Sequence, residues 1–199
     1  MKFLRQFIED KIEIDDEEWK IASLLFTKKV YTQGEEIFSA GEVHDKLYYV
    51  SDGMIRMYSI DEKGKETTFG ICYHQDEQVI NPFSGDYISF LTQKESAFFG
   101  EVLCDTIVYI ADFNALEKFY ETGFKWMKLG KSISDEQLIS VVENVRMMRN
   151  LSAKEKYLLL KELAPMYEEI LPDYQFASVL GIAPQSLSRM KREMRESTA

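Results

Sequence analysis

The segment QFASVLGIAPQSLSRMKRE, residues 175–193, reads as two short helices around a tight turn. Two helices that cross steeply need a small residue midway along the first, where the second passes over it. They also need a glycine where the backbone turns left-handed, and apolar residues on both inner faces. Starting from Asp173, those positions hold Phe176, Ala177, Leu180, Gly181, Ile182, Leu187 and Met190. Pro184 falls in the first turn of the second helix, where its missing N–H costs nothing. The outward side of that helix carries Gln185, Ser186, Ser188, Arg189 and Arg192, none of them large and apolar. Gln can pair with both polar edges of adenine and Arg with both acceptors of guanine, while Ser reaches bases or phosphates. Lys191 and Arg195 point toward the backbone side, and Arg192 can serve either. An ordinary helical hairpin with a solvated basic face would fill the same apolar slots. The position of the segment, after a long helix of dimer-like pattern, favours a DNA-binding helix-turn-helix.

The charge distribution permits that reading. The chain of 199 residues has a formal net charge of −10, but residues 1–142 hold 15 Lys+Arg against 26 Asp+Glu, and residues 143–199 hold 9 against 8. Near the C-terminal end Arg189, Lys191, Arg192 and Arg195 face only Glu193 and Glu196. Screening cuts off fields beyond ~8 Å at physiological salt, so a duplex senses this local patch rather than the distant acidic half. A hydrophobic share of 45% and a charged share of 29% describe a globular chain. No apolar run approaches the ~20 residues of a membrane helix. The opening MKFLRQFIEDKIEIDD turns acidic where a secretory signal would be apolar. The expectation is a cytoplasmic protein with no membrane contact. Cys72 and Cys104 form no C-x-x-C pair and no zinc cluster, and are expected to be reduced, half-buried strand residues.

Upstream, residues 1–26 read as two short helices, the second capped by Asp15 and Asp16 and carrying Trp19, Ile21, Ala22, Leu24 and Leu25. From Val30 to Leu116 the texture changes. Seven of the ten glycines (34, 41, 53, 64, 70, 85, 100) punctuate short runs rich in Tyr, Ile, Val, Phe and Thr: KLYYV (46–50), MIRMYSI (54–60), ETTFGICY (66–73) and VLCDTIVYIA (102–111). SDG (51–53) and DEKG (61–64) read as hairpin turns. Regularly spaced strands with Gly turns predict an antiparallel barrel or roll.

A glycine-poor helical pattern follows. Between Ser134 and Met148 the apolar seam is Leu138, Val141, Val145 and Met148, spaced by three and four, with Ser134 in the preceding seam position. Either the helix packs on its own barrel or it forms a parallel dimer seam. At NLSAKEKYLLLKEL (150–163) the chain restarts. Ser152 with Glu155 forms a capping box, and Tyr157, Leu158, Leu160 and Leu163 make the apolar face of a new helix. Pro165 and Pro172 bound a loop after it.

This order of parts resembles the CRP/FNR family of bacterial transcription regulators. The resemblance rests on GEEIFSAGEVHDKLYYVSDGMIRMY (34–58), similar to the family's first β-roll strands, and on FASVLGIAPQSLSRMKRE (176–193), similar to its recognition unit. It implies an α+β fold: an N-terminal antiparallel, cupin-like β-roll with flanking helices, a long dimerisation helix and a small all-α helix-turn-helix domain. The implied division is residues 1–122 for the cyclic-nucleotide-binding-like sensor, 123–149 for the dimerisation helix and 150–199 for the DNA-binding domain. The implied partners are a second copy, double-stranded DNA with a palindromic operator, and an effector that is unknown or absent, with RNA polymerase a further candidate. Gln185 and Arg189 match positions that read bases in family members. Pro184 stands where some members have arginine, which separates this chain from their operators. No strand-forming sequence follows the recognition helix, and the 165–172 loop is too short for a hairpin, so the wingless branch is expected.

The resemblance also locates an effector pocket at GDYISFLTQKESAFFGE (85–101). Gly85 and Asp86 match the opening of a cyclic-nucleotide phosphate cassette, and Ser96 and Ala97 match its close. The arginine that would hold the phosphate is replaced by Glu95, with Lys94 as its only basic neighbour. An anion beside a phosphate removes a charge-assisted pair and adds repulsion. A one-residue slip would bring in Lys94, which lacks the bidentate fork. Positions that offer hydroxyls to the base hold Val141 and Val142. Cyclic AMP is therefore disfavoured. Two cysteines are too few for an iron–sulfur cluster, and Cys72 with His74 is a weak axial-ligand signal, so no cofactor or metal is expected. Only His44 and His74 are present, with no G-x-S-x-G, P-loop or paired carboxylates, so the chain does not read as an enzyme. A ligand-binding module acting through protein partners, its helix-turn-helix vestigial, is the alternative.

Overall fold

The computed structural model describes residues 1–76 and 78–196. Two helices come first, α1 (Lys2–Glu9) and α2 (Asp16–Ser23). Asp15 caps α2 by accepting the Glu18 N–H at 2.8 Å, and Glu18 returns the contact to the Asp15 N–H at 3.0 Å. Asp16 is no cap; it pairs with Arg5 at 2.7 Å.

The strands are β1 (Thr27–Tyr31), β2 (Glu36–Phe38), β3 (Lys46–Ile60), β4 (Glu66–Gln75), β5 (Gln78–Ile80) and β6 (Phe83–Ser84). A short helix α3 (Tyr87–Thr92) precedes β7 (Phe99–Val102) and β8 (Thr106–Asp112). All the pairings are antiparallel, and the sheet curls so that one path runs β1-β8-β3-β4-β5, with β2 on β7, β7 on β3 and β6 on β3.

The SDG segment departs from the hairpin expectation. KLYYV and MIRMYSI are one strand, β3, running straight through residues 51–53. Its first half pairs with β6 and β8, and its second half with β4 and β7. Gly53, at φ +107°, makes the bend between the two layers, and a Cβ there would lie 2.8 Å from the Asp105 carbonyl and would overlap the Thr106 hydroxyl. The glycine allows a strand to corner, not to reverse. DEKG does reverse the chain: Asp61 accepts the Lys63 and Lys65 N–H groups, each at 2.9 Å, and Gly64 has φ +77°. VLCDTIVYIA also splits, because Cys104 lies between β7 and β8, outside any strand. Cys72 is on β4 and fully buried rather than half-buried.

The roll interior is filled by Tyr31, Phe38, Tyr48, Val50, Ile55, Cys72, Val102 and Val108. After α4 (Phe113–Tyr120) comes the 27-residue α5 (Phe124–Asn150). Its first turns bury Trp126 and Leu129 against α1 and the roll. Then follow α6 (Ala153–Leu163), α7 (Met166–Ile170), α8 (Asp173–Leu180) and α9 (Pro184–Glu196). The Ser152–Glu155 capping box is present. The expected 165–172 loop instead contains α7, whose Met166 and Tyr167 are buried and hold it in helical form. Leu158 and Leu163 lie outside, leaving Tyr157 and Leu160 to face the core.

Candidate nucleic-acid interface

The helix-turn-helix is assembled from α8 and α9. Gly181 closes α8 in a left-handed conformation, φ +72°, and the Ile182 N–H reaches back to the Ala177 carbonyl at 3.0 Å. That six-residue bond satisfies a carbonyl at the helix end and turns the chain sharply. Phe176, Ala177, Leu180 and Leu187 are buried to 1% exposure or less. A crossing that closes over Ala177 leaves no volume for a larger side chain. Tyr157 and Tyr167 pack on Phe176 at ring distances of 5.7 and 6.4 Å, tying α6 and α7 into the same core.

The expected reading residues lie on one helix but not in one environment. Gln185, Ser188, Arg189 and Arg192 are exposed and Ser186 is half-buried. Arg189 lies 3.8 Å from Glu193 and Arg192 4.0 Å from Glu196, loose pairs one helical turn apart. Such pairs hold an exposed guanidinium weakly, so both cations are free to be recruited. Lys191 differs. Its ammonium donates to Asp173 at 2.8 Å, lies 3.5 Å from Glu168 and sits 5.6 Å from the Phe176 ring centre. Its charge is spent inside the domain, bracing α9 on α7 and α8. Burial would raise the Glu168 carboxyl, but the Tyr157 hydroxyl and the Lys161 and Lys191 cations outweigh it and hold the group below its ordinary range.

The seam on α5 divides in two. Beyond the turns that pack on the roll, Leu138, Val141 and Val145 are 63%, 56% and 48% exposed, with Ile139 and Val142 beside them. This stretch does not pack on its own barrel. Met148 is partly used within the chain, since a Cβ on Gly181 would meet its Cε at 3.1 Å.

The effector segment is closed on itself. Asp86 is buried and caps α3 by accepting the Ser89 N–H at 3.0 Å. The Ser89 hydroxyl accepts the His44 N–H at 3.0 Å and donates to the Lys94 carbonyl at 2.6 Å. Ser96 is buried, donating its N–H to the Glu42 carbonyl at 2.8 Å and accepting the Phe98 N–H on its hydroxyl at 2.9 Å. Gly85, at φ +146°, brings the backbone so near β3 that a Cβ would lie 2.8 Å from the Lys46 carbonyl. Lys94, Glu95 and Ala97 are exposed, and no cation enters the segment from them. Phe38 lies flat against Gly100, leaving no room for even a methyl group there. A small apolar cavity elsewhere, between α1, α2, the roll and α5, holds about 30 Å³ and is lined by Leu4, Phe83, Trp126 and Leu129. That is space for one or two waters, far below a nucleotide.

The Cys72 and His74 side chains point to structure rather than ligation. The Cys72 thiol donates to the Phe83 carbonyl at 3.0 Å, and complete burial pushes it up to about 12. The His74 Nδ1–H donates to the Val50 carbonyl at 3.0 Å, and its ring lies 4.7 Å from that of Phe3. Among the described residues no group of three His, Cys, Asp or Glu side chains could hold a metal. None of the described helices is long and apolar enough to cross a membrane.

Four residues missed by the sequence reading join the two halves: Arg56, Glu101, Gln175 and Ser178. The one available signal was a cation in the middle of the otherwise apolar MIRMYSI run.

Residues 28–122 match the model of the cyclic nucleotide-binding domain family. No curated protein gives a significant sequence match. Among solved structures, FixK2 from Bradyrhizobium japonicum superposes with a TM-score of 0.66 at 18% identity, over 87% of this chain and 86% of its own. The c-di-GMP-responsive global regulator CLP of Xanthomonas campestris gives 0.68 at 12%, covering 92% and 93%. A protein from Eubacterium rectale, described as a transcriptional regulator of the CRP/FNR family, gives 0.67 at 16%, covering 92% and 85%. Residues 28–122 are thus similar in sequence to the cyclic nucleotide-binding domain, and the chain shares the fold of these solved structures.

Proposed function

We propose that the chain is a homodimeric, sequence-specific DNA-binding regulator of transcription whose roll does not respond to cyclic AMP. The observation that carries this is α9: Gln185, Ser188, Arg189 and Arg192 lie exposed on a helix fixed from beneath by the fully buried Leu187. Gln and Arg are the side chains suited to bidentate base contacts, and Ser186 is a candidate for phosphate. Pairing two copies along Leu138, Val141, Val145 and Met148 would bury the apolar side of α5. It would also set two recognition helices about one duplex turn apart (~34 Å), matching a palindromic operator.

In this reading residues 1–122 form the roll, 123–149 the dimer helix and 150–199 the reader. Residues 197–199 of that last division lie outside the described residues. What supports the absence of cyclic AMP control is Glu95 in the slot matched to arginine, the bonding of Asp86 to Ser89 and of Ser96 to Glu42 and Phe98, and the apolar filling of the roll. A nucleotide phosphate would meet a carboxylate where it needs a guanidinium. The roll then acts as a scaffold or takes a non-nucleotide effector at the segment that holds Gly85, Asp86, Glu95, Ser96 and Ala97. RNA polymerase is a further candidate partner for such a regulator.

The test is selection of bound duplexes from a randomised pool, followed by affinity measured across a salt series. The expected result is an enriched palindrome whose binding falls steeply with salt, since each phosphate neutralised releases counterions. No enrichment and no salt slope would leave the alternative, a module that works through protein partners.

A further inference from the structure

Arg56 sits in the middle of β3 and is 1% exposed. Its Nη1 lies 2.7 Å from Glu66 and 3.3 Å from Glu101, its Nε donates to the Thr68 hydroxyl at 2.9 Å, and its guanidinium lies 4.3 Å from the Tyr58 ring centre. Two carboxylates share one buried cation, so the cluster can take a further donor. That donor comes from the other half of the molecule. Gln175 of α8, 2% exposed, donates its amide to Glu101 at 3.2 Å. Three residues along the same helix face, the Ser178 hydroxyl accepts the Thr68 N–H at 2.7 Å and lies 3.4 Å from the Glu66 carbonyl.

These polar links border a continuous apolar contact. Met54, Ile71, Tyr73 and Leu103 of the roll share one core with Tyr167 and Phe176 of the reader. The turn at Gly181 meanwhile rests on Met148 of α5. The first helix of the helix-turn-helix, α8, is therefore fixed to the roll, to the end of the dimer helix and to α9 together. Interfaces within a chain that permit free domain motion lack such a buried apolar contact. None of these contacts covers Gln185 or Arg189, which remain exposed.

We propose that the Arg56–Glu101–Gln175 joint, with the Thr68–Ser178 bond, is a positioning device. It locks the recognition helix at one angle to the dimer helix and thereby sets the half-site spacing that the dimer accepts, with no effector required. The proposal rests on the DNA reading above. One inserted base pair shifts the second half-site by about 3.4 Å and turns it by about 35°. A tethered reader can follow that displacement; a locked one cannot. Arg56, Gln175 and Ser178 touch no DNA in this scheme and act only through the placement of α9.

The experiment uses the full-length protein and the palindrome that wild type selects from a random duplex pool, rebuilt with spacers one and two base pairs longer or shorter, together with a single half-site duplex. Wild type is expected to discriminate against the altered spacers by at least ~10-fold, the order of the cost of twisting a duplex onto a rigid dimer. Gln175→Leu and Ser178→Ala should bring that ratio to within ~3-fold while single half-site binding stays within ~2-fold, because they alter orientation and not contact. Hydrogen exchange at the Thr68 amide should accelerate in Ser178→Ala. Retained spacing preference in both variants overturns the proposal while leaving the DNA reading intact. Loss of single half-site binding in both also overturns it, since the joint would then be part of the reader's own fold. Failure of wild type to select any duplex overturns the DNA reading first, and this proposal with it.

Discussion

Replacing Lys191 with methionine and Arg189 with alanine tests the proposed division between a bracing cation and a reading one on the same helix. Lys191 has 16% of its side chain exposed and is held 2.8 Å from Asp173 and 3.5 Å from Glu168. Methionine keeps most of the stem packing on Phe176 and removes only the charge. Glu168, already bonded to the Tyr157 hydroxyl at 2.5 Å, then keeps a single cation, Lys161, at 3.6 Å. A fully buried pair broken on one side costs several kcal/mol and an exposed one almost nothing; with Asp173 half in solvent, the expected loss is about 1–2 kcal/mol. For a chain of this size that corresponds to a fall in Tm of about 2–8 °C. Among the described residues Arg189 makes a loose contact with Glu193, so Arg189→Ala should move stability by less than about 0.5 kcal/mol.

The two variants should exchange places in the DNA assay. Arg189→Ala should weaken binding to the selected palindrome by about 1–3 kcal/mol per half-site and relax the preference at one base position. Lys191→Met should leave the slope of log affinity against log salt unchanged, because no phosphate contact is lost. Thermal unfolding by circular dichroism and fluorescence anisotropy over a salt series read both quantities. A salt slope reduced by about 1 per subunit in Lys191→Met, with Tm unaltered, would mean that the ammonium leaves Asp173 for a phosphate. The bracing argument would then be wrong.

Charging the seam with Leu138→Glu and Val145→Glu together should convert a dimer to a monomer in sedimentation with little loss of helix, since both side chains are exposed within the chain; an unchanged dimer would place the interface elsewhere. Gly53→Ala should lower stability by more than about 2 kcal/mol, because the added methyl meets the Thr106 hydroxyl and the Asp105 carbonyl at a φ of +107°, and a Tm within 2 °C of wild type (roughly half a kcal/mol for this size) would refute the cornering role. Asp112 is held below its ordinary value near 3.8, first by the Lys46 ammonium and then by the Ala115 N–H. Its folded value is the lower one, so its stabilisation is present above the unfolded value and disappears as pH falls through the folded one. Asp112→Asn should therefore flatten the loss of Tm on acidification below pH about 4, and an identical acid slope in the variant would show that other carboxylates govern it. Cyclic AMP at millimolar concentration should leave the wild-type Tm unmoved, and a rise that saturates would reverse the reading of Glu95.

Much of the architecture was legible in the residues because its causes are local. The Ser152–Glu155 box, the left-handed Gly181 and the DEKG turn each involve partners within about five residues, and the spacing along α5 is a property of one helix. The alternation and glycine punctuation of residues 30–116 were enough for a roll, and the inner slots Phe176, Ala177, Leu180 and Leu187 were enough for two crossed helices. Other features had no local cause. SDG has the composition of a hairpin, yet Gly53 serves a bend, because Asp105 and Thr106 approach from another strand and leave space for no side chain. The segment 165–172 looks like a loop until the core that buries Met166 and Tyr167 gives it a helix to form.

Sequence by itself determined which side chains α9 has to offer and that the 85–101 segment holds no arginine, since both are facts of residue type along a short stretch. Only the folded chain decided which of the α9 cations are available. Lys191 and Asp173 are 18 residues apart, Arg56 and Glu101 are 45 apart, and Gln175 and Glu101 are 74 apart. A contact at that separation depends on where two distant segments cross, and burial then sets its strength by removing the water that would otherwise screen it. The composition of the basic patch is one-dimensional information; which of its cations are held within the chain and which stay exposed is three-dimensional.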